Sequence, residues 1–212
     1  MTSAEPLRLG VLVSGRGTNL EAICRSIDRG ETPARVAVVI SDRPGALALD
    51  RARRRGIPAV GIAPSEFADR GAFFQHVDRL LRDHGVGLVA LAGFMRLLPP
   101  PFVAAWRERV MNVHPSLLPA FPGRDAPRQA LEYGVRVTGC TVHFVDEGMD
   151  TGPIILQAAV PVRPDDDVAS LTARIQRREH RLYPQAITLF AQGRLAVRGR
   201  RVDILPGEGF QT

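Results

Sequence analysis

The chain has 212 residues, 45% of them hydrophobic and 24% charged, which is the composition of an ordinary soluble globular protein. Its length favours a single domain over residues 1–212, and no apolar run approaches the ~20 residues of a membrane-spanning helix. The net charge of +6 comes from arginines spread along the chain, a distribution that favours a solvated surface over a nucleic-acid interface.

The basic residues are chemically uniform: all 28 are arginine, and lysine does not occur. The chain therefore cannot use a Schiff-base lysine or the lysine of a phosphate-binding loop. Arginine instead binds planar carboxylates and phosphates in bidentate fashion.

Cysteine usage and the N-terminal residues bear on the cellular location. Cys24 and Cys140 form no disulfide framework and no C-x-x-C pair, and the stretch MTSAEPLRLG lacks the features of a secretory signal. We therefore expect a cytoplasmic protein with reduced thiols.

Short apolar runs alternate with helical patterns along the first half of the chain. Runs without polar alternation are typical of strands buried on both faces of a sheet. The predicted strands cover residues 7–14, 34–41, 57–63 and 86–93, and the helices between them cover 18–29, 46–55 and 66–84. Strands that alternate with helices predict right-handed crossovers and a parallel sheet.

The second half of the chain predicts a change of strand pairing. A fifth strand at 109–114 is followed by two strands, 135–146 and 153–162, which we expect to pair antiparallel across a turn-rich segment. The other predicted elements are helices at 100–107, 125–133 and 167–192, the last interrupted or kinked near Pro184, and a terminal hairpin at 195–204. The predicted fold class is α/β: a Rossmann-like, open, mostly parallel twisted sheet with helices on both faces and an antiparallel C-terminal part.

The first strand leads into a glycine-containing loop, SGRGTNLEAI, at residues 14–23. Ligands of parallel sheets bind beyond the carboxyl ends of the strands, and backbone amides at a helix start can hold an anion. Gly17, Thr18 and Asn19 are therefore candidate phosphate-binding positions. Two alternatives stay open: a glycine turn with Thr18 as the helix cap, and a dinucleotide site with Asp42 on the ribose, for which the third glycine is missing.

The fifth strand ends in NVHPSLLPAFPG, residues 112–123. Asn112 and His114 project from the same face because strand residues i and i+2 share a face. An amide that donates hydrogen bonds beside a group that exchanges protons suits addition to a carbonyl. The alternative is a structural histidine with a neighbouring capping asparagine.

The turn VDEGMDTGP offers carboxylates that could act on this histidine: Asp146, Glu147 and Asp150. A carboxylate partner would orient the ring and raise its pKa. Turn formation alone is the alternative for each acid. The remaining histidines show no metal-binding spacing, so we expect no catalytic metal.

The ordered set of motifs resembles the phosphoribosylglycinamide formyltransferase family, folate-dependent enzymes of purine synthesis. The resemblance runs from the first strand to about residue 193 through VLVSGRGTNLEAI, VALAGFMRLLPPPF, MNVHPSLLPAFPG, GCTVHFVDEGMDTGPIILQ and REHRLYP. N-x-H with S-L-L-P is shared with methionyl-tRNA formyltransferases and formyltetrahydrofolate hydrolases. The early G-x-G-T-N-L loop and the length, which leaves no room for their extra domains, favour the glycinamide ribonucleotide branch.

The resemblance implies roles for individual residues. Asn112, His114 and Asp150 match the catalytic trio of the family. The substrate-binding positions implied are Gly17, Thr18, Asn19, Gln176 and Glu179. The folate-binding positions implied are Arg70, Met95, Arg96, Leu97, Leu98, Asp146, Glu147, Gly148, Met149 and Asp150. Some relatives carry a basic residue where this chain has Gln176, and Arg174 or Arg177 are candidates to compensate.

The activity implied is transfer of the formyl group of 10-formyltetrahydrofolate to the glycine amine of glycinamide ribonucleotide, without a metal. Its implied partners are therefore these two small molecules, with no nucleic acid and no membrane, and a homodimer is left open. A formyltransferase for another amine and a formyltetrahydrofolate hydrolase remain alternatives. More distant ones are a NAD-dependent oxidoreductase, which would need Asp42, and a noncatalytic nucleic-acid binder, which would not need His114.

Overall fold

A computed structural model describes residues 5–207. Residues 1–4, which belong to the N-terminal stretch judged to lack a secretory signal, and residues 208–212 lie outside the described part. The chain divides into two compact units at the step from Met111 to Asn112. The single domain over 1–212 stays a prediction.

The first unit is built on four parallel strands. They are β1 (Leu7–Val13), β2 (Ala34–Ser41), β3 (Ala59–Gly61) and β4 (Leu88–Leu91), and their order is β3-β2-β1-β4. The chain thus moves outward from β1 through β2 to β3 and then returns to the other side of β1. The carboxyl ends of β1 and β4 flank this switch in strand order, which is where ligands bind in open parallel sheets.

Apolar sequence explains why these strands lie in the interior. Val11, Leu12 and Val13 have no exposed surface, as expected of a strand covered on both faces. The helices of this unit are α1 (Thr18–Asp28), α2 (Leu47–Arg54), α3 (Arg70–Asp83) and α4 (Pro100–Ala105), and a short 3-10 turn spans Pro64–Glu66. The helix predicted at 66–84 begins only at Arg70 because the Asp69 carboxylate caps it, accepting from the Ala72 N–H at 2.8 Å.

The second unit contains the antiparallel strand pairs. Its strands follow the order β5-β6-β7-β9-β8, and β5 begins two residues before the boundary between the units. They are β5 (Val110–His114), β6 (Val137–Phe144), β7 (Ile154–Pro161), β8 (Leu195–Arg198) and β9 (Arg201–Ile204). β6 pairs antiparallel with β7, with Cys140 opposite Ala158, and β8 pairs antiparallel with β9, so both antiparallel predictions are confirmed.

Two helices accompany these strands, α5 (Ala126–Tyr133) and α6 (Val168–Ala191). Of the two predicted alternatives near Pro184, the interruption is wrong, because α6 runs continuously for 24 residues with Pro184 inside it, and the kink stays a prediction. A proline removes one backbone hydrogen bond, but Pro184 and its neighbour Tyr183 are buried, and burial of apolar surface offsets that loss. At its start, Asp167 and Ser170 form a reciprocal capping box.

The predicted fold class is confirmed: the strands of the first unit are parallel, and the antiparallel pairs lie among the C-terminal strands. Among residues 5–207, no helix combines the length and the apolar character that crossing a membrane requires.

Candidate active site

The carboxyl end of β5 brings an amide, an imidazole and a carboxylate together. The His114 Nδ1 atom lies 3.3 Å from Asp150 Oδ2, and the Asn112 Nδ2 atom lies 3.5 Å from Asp150 Oδ1. Met111 and Val113, which alternate with them on β5, are buried apolar residues. The three side chains singled out by the sequence therefore form one cluster.

Asp150 holds its position through its own backbone and through a neighbouring loop. Its φ of 55° lies in the left-handed region, which aspartate tolerates better than most residues. Its Oδ2 atom accepts a hydrogen bond from the Gly123 N–H at 2.8 Å. The carboxylate thus links the β6–β7 turn to the segment that follows β5.

The other two acids of this turn do not face the histidine. Asp146 accepts hydrogen bonds from the Gly148 N–H at 3.1 Å and from the Thr151 hydroxyl at 2.6 Å, so it builds the turn. Glu147 is exposed. Of the three carboxylates, Asp150 is the one that contacts the imidazole.

Burial dominates the acid–base behaviour of His114, which is only 4% exposed. Removal from water lowers its pKa below the usual 6.5, although the Phe121 carbonyl and the Asp150 carboxylate act in the opposite direction. The expectation that a carboxylate partner would leave His114 with a raised pKa is therefore wrong. The ring is neutral at pH 7.

The proton of the neutral ring can be assigned from its partners. His114 Nε2 lies 2.9 Å from the Phe121 carbonyl oxygen, which can only accept. The Asp150 carboxylate 3.3 Å from Nδ1 is also only an acceptor, so the shorter contact at Nε2 places the hydrogen of the neutral ring on Nε2 and leaves Nδ1 as the atom that takes up a second proton. The Nδ1 atom faces Asp150, so a proton that binds to Nδ1 would lie beside the carboxylate.

Asp150 is ionised at neutral pH. Burial alone would raise the pKa of this carboxyl group, but the His143 ring, the Gly123 N–H and the charge on His114 together outweigh burial and lower the pKa below 3.8. The cluster therefore pairs a neutral imidazole with a carboxylate.

His143 belongs to the cluster and was missed by the sequence analysis, which considered it only as a metal ligand. Its Nδ1 atom donates to the Phe144 carbonyl at 2.8 Å, and its Nε2 atom lies 3.3 Å from the Asn112 Nδ2 atom. His143 thereby orients Asn112. The available signal was its place at the end of a buried strand that runs directly into the acidic turn.

A buried hydroxyl network supports the loop after β5. Thr141 donates to the Ser116 carbonyl at 2.7 Å and accepts from the Leu118 N–H at 3.0 Å. Gln157 adds a hydrogen bond to the Leu118 carbonyl at 3.0 Å. Strand β6 therefore supports both the cluster and the loop that supplies Phe121 and Gly123.

The glycine loop of the first unit has the geometry of an anion site. Gly17 is the N-cap of α1, with φ 74°, and no side chain caps the helix. Thr18 is instead the first helical residue, which rules out its predicted alternative role as the cap. A helix start without a side-chain cap is the kind of position at which backbone N–H groups bind anions.

The segment after β4 is tied to the ends of β1 and β2. Ser14 donates its N–H to the Gly93 carbonyl at 3.1 Å and accepts from the Met95 N–H at 2.9 Å through its hydroxyl. Arg96 donates from Nε to Asp42 Oδ2 at 2.8 Å. Asp42 therefore has a structural partner, which argues against the ribose-binding role in the dinucleotide alternative.

This anchored segment presents apolar side chains to the outside. Met95 and Leu97 are each 53% exposed, whereas Leu98 is buried. Rigid backbone with outward apolar side chains is suited to an apolar ligand.

The sequence profile of the formyl transferase family, described as "Formyl transferase", matches residues 7–187. The chain belongs to the formyl transferase family.

Individual members of this family are similar over most of the chain. It is 48% identical to the trifunctional purine biosynthetic protein adenosine-3 of Drosophila melanogaster over 91% of its own length, but it spans only 14% of that protein. It is 42% identical to the phosphoribosylglycinamide formyltransferase of Escherichia coli, covering 96% of this chain and 98% of that one. A crystal structure of glycinamide ribonucleotide transformylase 1 from Symbiobacterium toebii, 55% identical, superposes with a TM-score of 0.94 over 96% of both chains.

The remaining predicted positions of this formyl transferase lie on helices. Glu179 is buried and Gln176 half-buried on α6, and Arg70 is the exposed first residue of α3. Arg174 forms an ion pair with Asp166 and donates to the Pro161 carbonyl at 2.6 Å, so its guanidinium group already has structural partners, which argues against its compensating for Gln176.

Among residues 5–207, no group of three or more His, Cys, Asp or Glu side chains is placed to hold a metal ion.

Proposed function

We propose that this protein transfers the formyl group of 10-formyltetrahydrofolate to the glycine amine of glycinamide ribonucleotide. The observation that carries the proposal is the Asn112, His114 and Asp150 cluster, with contacts of 3.3 and 3.5 Å, in a member of the formyl transferase family. The names of its full-length relatives, phosphoribosylglycinamide formyltransferases, support the choice of acceptor.

The reaction needs an oxyanion partner and a proton acceptor, and no covalent enzyme intermediate. The amine nitrogen attacks the formyl carbon, and the carbonyl electron pair moves to oxygen. The amine then loses a proton, the electron pair returns, and the bond to the folate nitrogen breaks as that nitrogen gains a proton. The products are an N-formyl amide and tetrahydrofolate.

His114 is the group that moves the proton. Because its pKa lies below 6.5, it is a neutral base at pH 7 and can accept the proton of the attacking amine at Nδ1. The imidazolium that forms pairs with the ionised Asp150, and it can then protonate the departing folate nitrogen. Asp150 thus stabilises the charged form only when that form appears in the reaction.

Asn112 is the oxyanion donor. His143 Nε2, 3.3 Å from Asn112 Nδ2, fixes one N–H group of the amide, whereas the contact with Asp150 Oδ1 is longer, 3.5 Å, and is the one that the oxyanion would replace. A donor held in advance by the protein stabilises developing charge without reorganising during the reaction.

Binding is divided among the segments matched to the family. Gly17, Thr18 and Asn19 hold the phosphate, and Gln176 and Glu179 complete the ribonucleotide site. The reduced folate binds to the segment Met95–Leu98 and the turn Asp146–Asp150, with Arg70 near its carboxylates. The proposal places the reaction in the cytoplasm without a metal; a homodimer stays open.

The test is a transfer assay with the purified chain. Protein is mixed with 10-formyltetrahydrofolate, with and without glycinamide ribonucleotide, and tetrahydrofolate release is followed spectroscopically. His114→Ala is compared with His84→Ala, a matched change at the end of α3. We expect release that requires the ribonucleotide and His114 but not His84.

Other outcomes separate the alternatives. Release without an acceptor identifies a hydrolase. Release that occurs only with a different amine identifies a formyltransferase for another acceptor. No release under any of these conditions refutes the proposal.

A further inference from the structure

The segment of residues 115–125, between β5 and α5, supplies backbone partners to the active-site cluster. The Phe121 carbonyl accepts from His114 Nε2 at 2.9 Å, and the Gly123 N–H donates to Asp150 Oδ2 at 2.8 Å. Backbone atoms make both contacts. The geometry of the cluster therefore depends on how the backbone of this segment is oriented.

Gln129, the fourth residue of α5, contacts this backbone through its side-chain amide. Its Nε2 atom donates to the Arg124 carbonyl at 2.7 Å and to the Pro122 carbonyl at 3.3 Å. An amide nitrogen carries two hydrogens, so one glutamine side chain can supply both bonds. The two carbonyls belong to the residues on either side of Gly123, so Gln129 holds the backbone at the position that meets Asp150.

The Pro122 carbonyl and the Gly123 N–H belong to one peptide group. This peptide bond is trans, so the group is planar and its C=O and N–H bonds point in opposite directions. Gln129 therefore contacts one side of the group and Asp150 the other. Hydrogen bonds in such a chain polarise and strengthen one another. The chain continues from Asp150 to His114, 3.3 Å away.

A second residue of α5 contacts the same segment. Tyr133 lies four residues after Gln129 and therefore on the same face of the helix. Its ring packs edge-on against the Phe121 ring, with the ring centroids 5.8 Å apart, although Tyr133 is 80% exposed. One face of α5 thus touches the segment next to both positions that meet the cluster.

We propose that Gln129 is a positioning residue for the reaction: it orients the Pro122–Gly123 peptide group and thereby holds the Asp150 carboxylate beside His114. The inference rests on the proposed function and concerns a residue outside the catalytic trio and the substrate-binding positions. Gln129 acts through the peptide group and the carboxylate. Its loss should therefore affect the proton-transfer step rather than binding of the acceptor.

The competing explanation is that Gln129 only stabilises the folded segment before α5. Its loss would then loosen the whole segment, and the folded enzyme would turn over at the wild-type rate. Loss of positioning would instead act on the Gly123 N–H selectively and lower turnover. The Leu118 N–H is an internal reference in the same segment, because it donates to the Thr141 hydroxyl of β6 at 3.0 Å and does not contact α5.

The experiment compares Gln129→Met with Gln185→Met. Methionine keeps the length and the helix propensity of glutamine but has no N–H donor. Gln185 is exposed on α6, and its side chain has no partner among residues 5–207. For Gln129→Met we expect kcat to fall about three- to tenfold, with the KM for glycinamide ribonucleotide unchanged. Amide hydrogen exchange, followed by NMR, should become faster at Gly123 but not at Leu118. Gln185→Met should show neither change.

Unchanged kcat in Gln129→Met overturns the inference, and so does exchange that accelerates equally at Gly123 and Leu118 or does not accelerate at Gly123. Gln129→Glu is a second variant for the case that Gln129→Met does not fold. Its ionised carboxylate has a similar size but cannot donate, so the same changes are expected. If wild type transfers no formyl group, the proposed function fails separately. Exchange then still tests Gln129: acceleration at Gly123 alone supports its hold on the peptide group, and unchanged exchange overturns it.

Discussion

At the scale of single residues, His114 is subject to opposing influences. Burial disfavours its charged form, whereas Asp150, 3.3 Å away, and the Phe121 carbonyl favour it. Burial wins, so the resting enzyme holds a neutral base beside an ionised carboxylate. The charged imidazole is thereby stabilised in the reaction more than a solvent-exposed histidine would be, because its counter-ion is already in place.

Removing the carboxylate should lower the pKa of His114 further. In Asp150→Asn, the neutral amide no longer favours the imidazolium, so its titration should move to lower pH than in wild type, where the midpoint itself lies below 6.5. NMR titration of the His114 ring protons measures both midpoints. An unchanged or higher midpoint in the variant would show that Asp150 does not act on His114.

Asn112→Ala should lower kcat about 100- to 1000-fold, the typical cost of one oxyanion donor. The KM values should change little, because the donor acts mainly on charge that develops during the reaction. Steady-state kinetics measure both parameters, and Gln192→Ala, the same loss of an amide at the end of α6, is the control. Unchanged turnover in Asn112→Ala would remove Asn112 from the mechanism.

At the scale of elements, the ends of the parallel strands carry the segments of the first unit to which binding is proposed. β1 and β4 are neighbours and end beside each other, and Ser14 at the end of β1 bonds twice to the segment after β4. Arg96 in that segment reaches Asp42 at the end of β2. The backbone of Gly93–Arg96 is thus fixed at separate points, and Met95 and Leu97 are presented from a rigid frame.

Loosening this frame should weaken folate binding. Asp42→Asn replaces a charge-assisted hydrogen bond from Arg96 by a weaker one, and we expect the KM for 10-formyltetrahydrofolate to rise up to about tenfold. The KM for the acceptor should not change. Asp50→Asn, which breaks an exposed pair with Arg53, is the control and should have no effect. Equal effects of the two substitutions would contradict the role given to Asp42.

At the scale of the whole molecule, acid should destabilise the folded chain in stages. His114 and Asp150 both have pKa values below their ordinary ones, so the unfolded chain binds more protons at acidic pH. Stability is then fully present above the unfolded values of 6.5 and 3.8 and is lost as pH falls through the lower folded values. The hydrogen bonds from Arg174 also lower the pKa of the Asp166 carboxyl group. Protonation of Asp166 therefore adds to the loss of stability in the second, more acidic stage.

Urea unfolding at several pH values measures this dependence. The midpoint for wild type should fall as pH is lowered from 6.5, and His114→Gln should show a flatter dependence just below that value. A wild-type midpoint that rises on acidification through this range would contradict the lowered pKa of His114.

The sequence by itself determined the fold class, the strand that carries Asn112 and His114, and the glycine loop. These features depend on local spacing: apolar periodicity identifies strands and helices, and alternation along β5 places residues i and i+2 on one face. The same local reasoning placed the start of α3 too early and interrupted α6 at Pro184, because capping at Asp69 and burial of Pro184 outweigh intrinsic propensity.

Only the tertiary structure decided the chemical state of the cluster. The family resemblance had pointed to Asp150, but the contact of Asp150 with His114, the contact of His143 with Asn112 and the lowering of the pKa of His114 by burial depend on residues far apart along the chain. A pKa depends on all the atoms that replace water around a group, and no local spacing in a sequence contains that information.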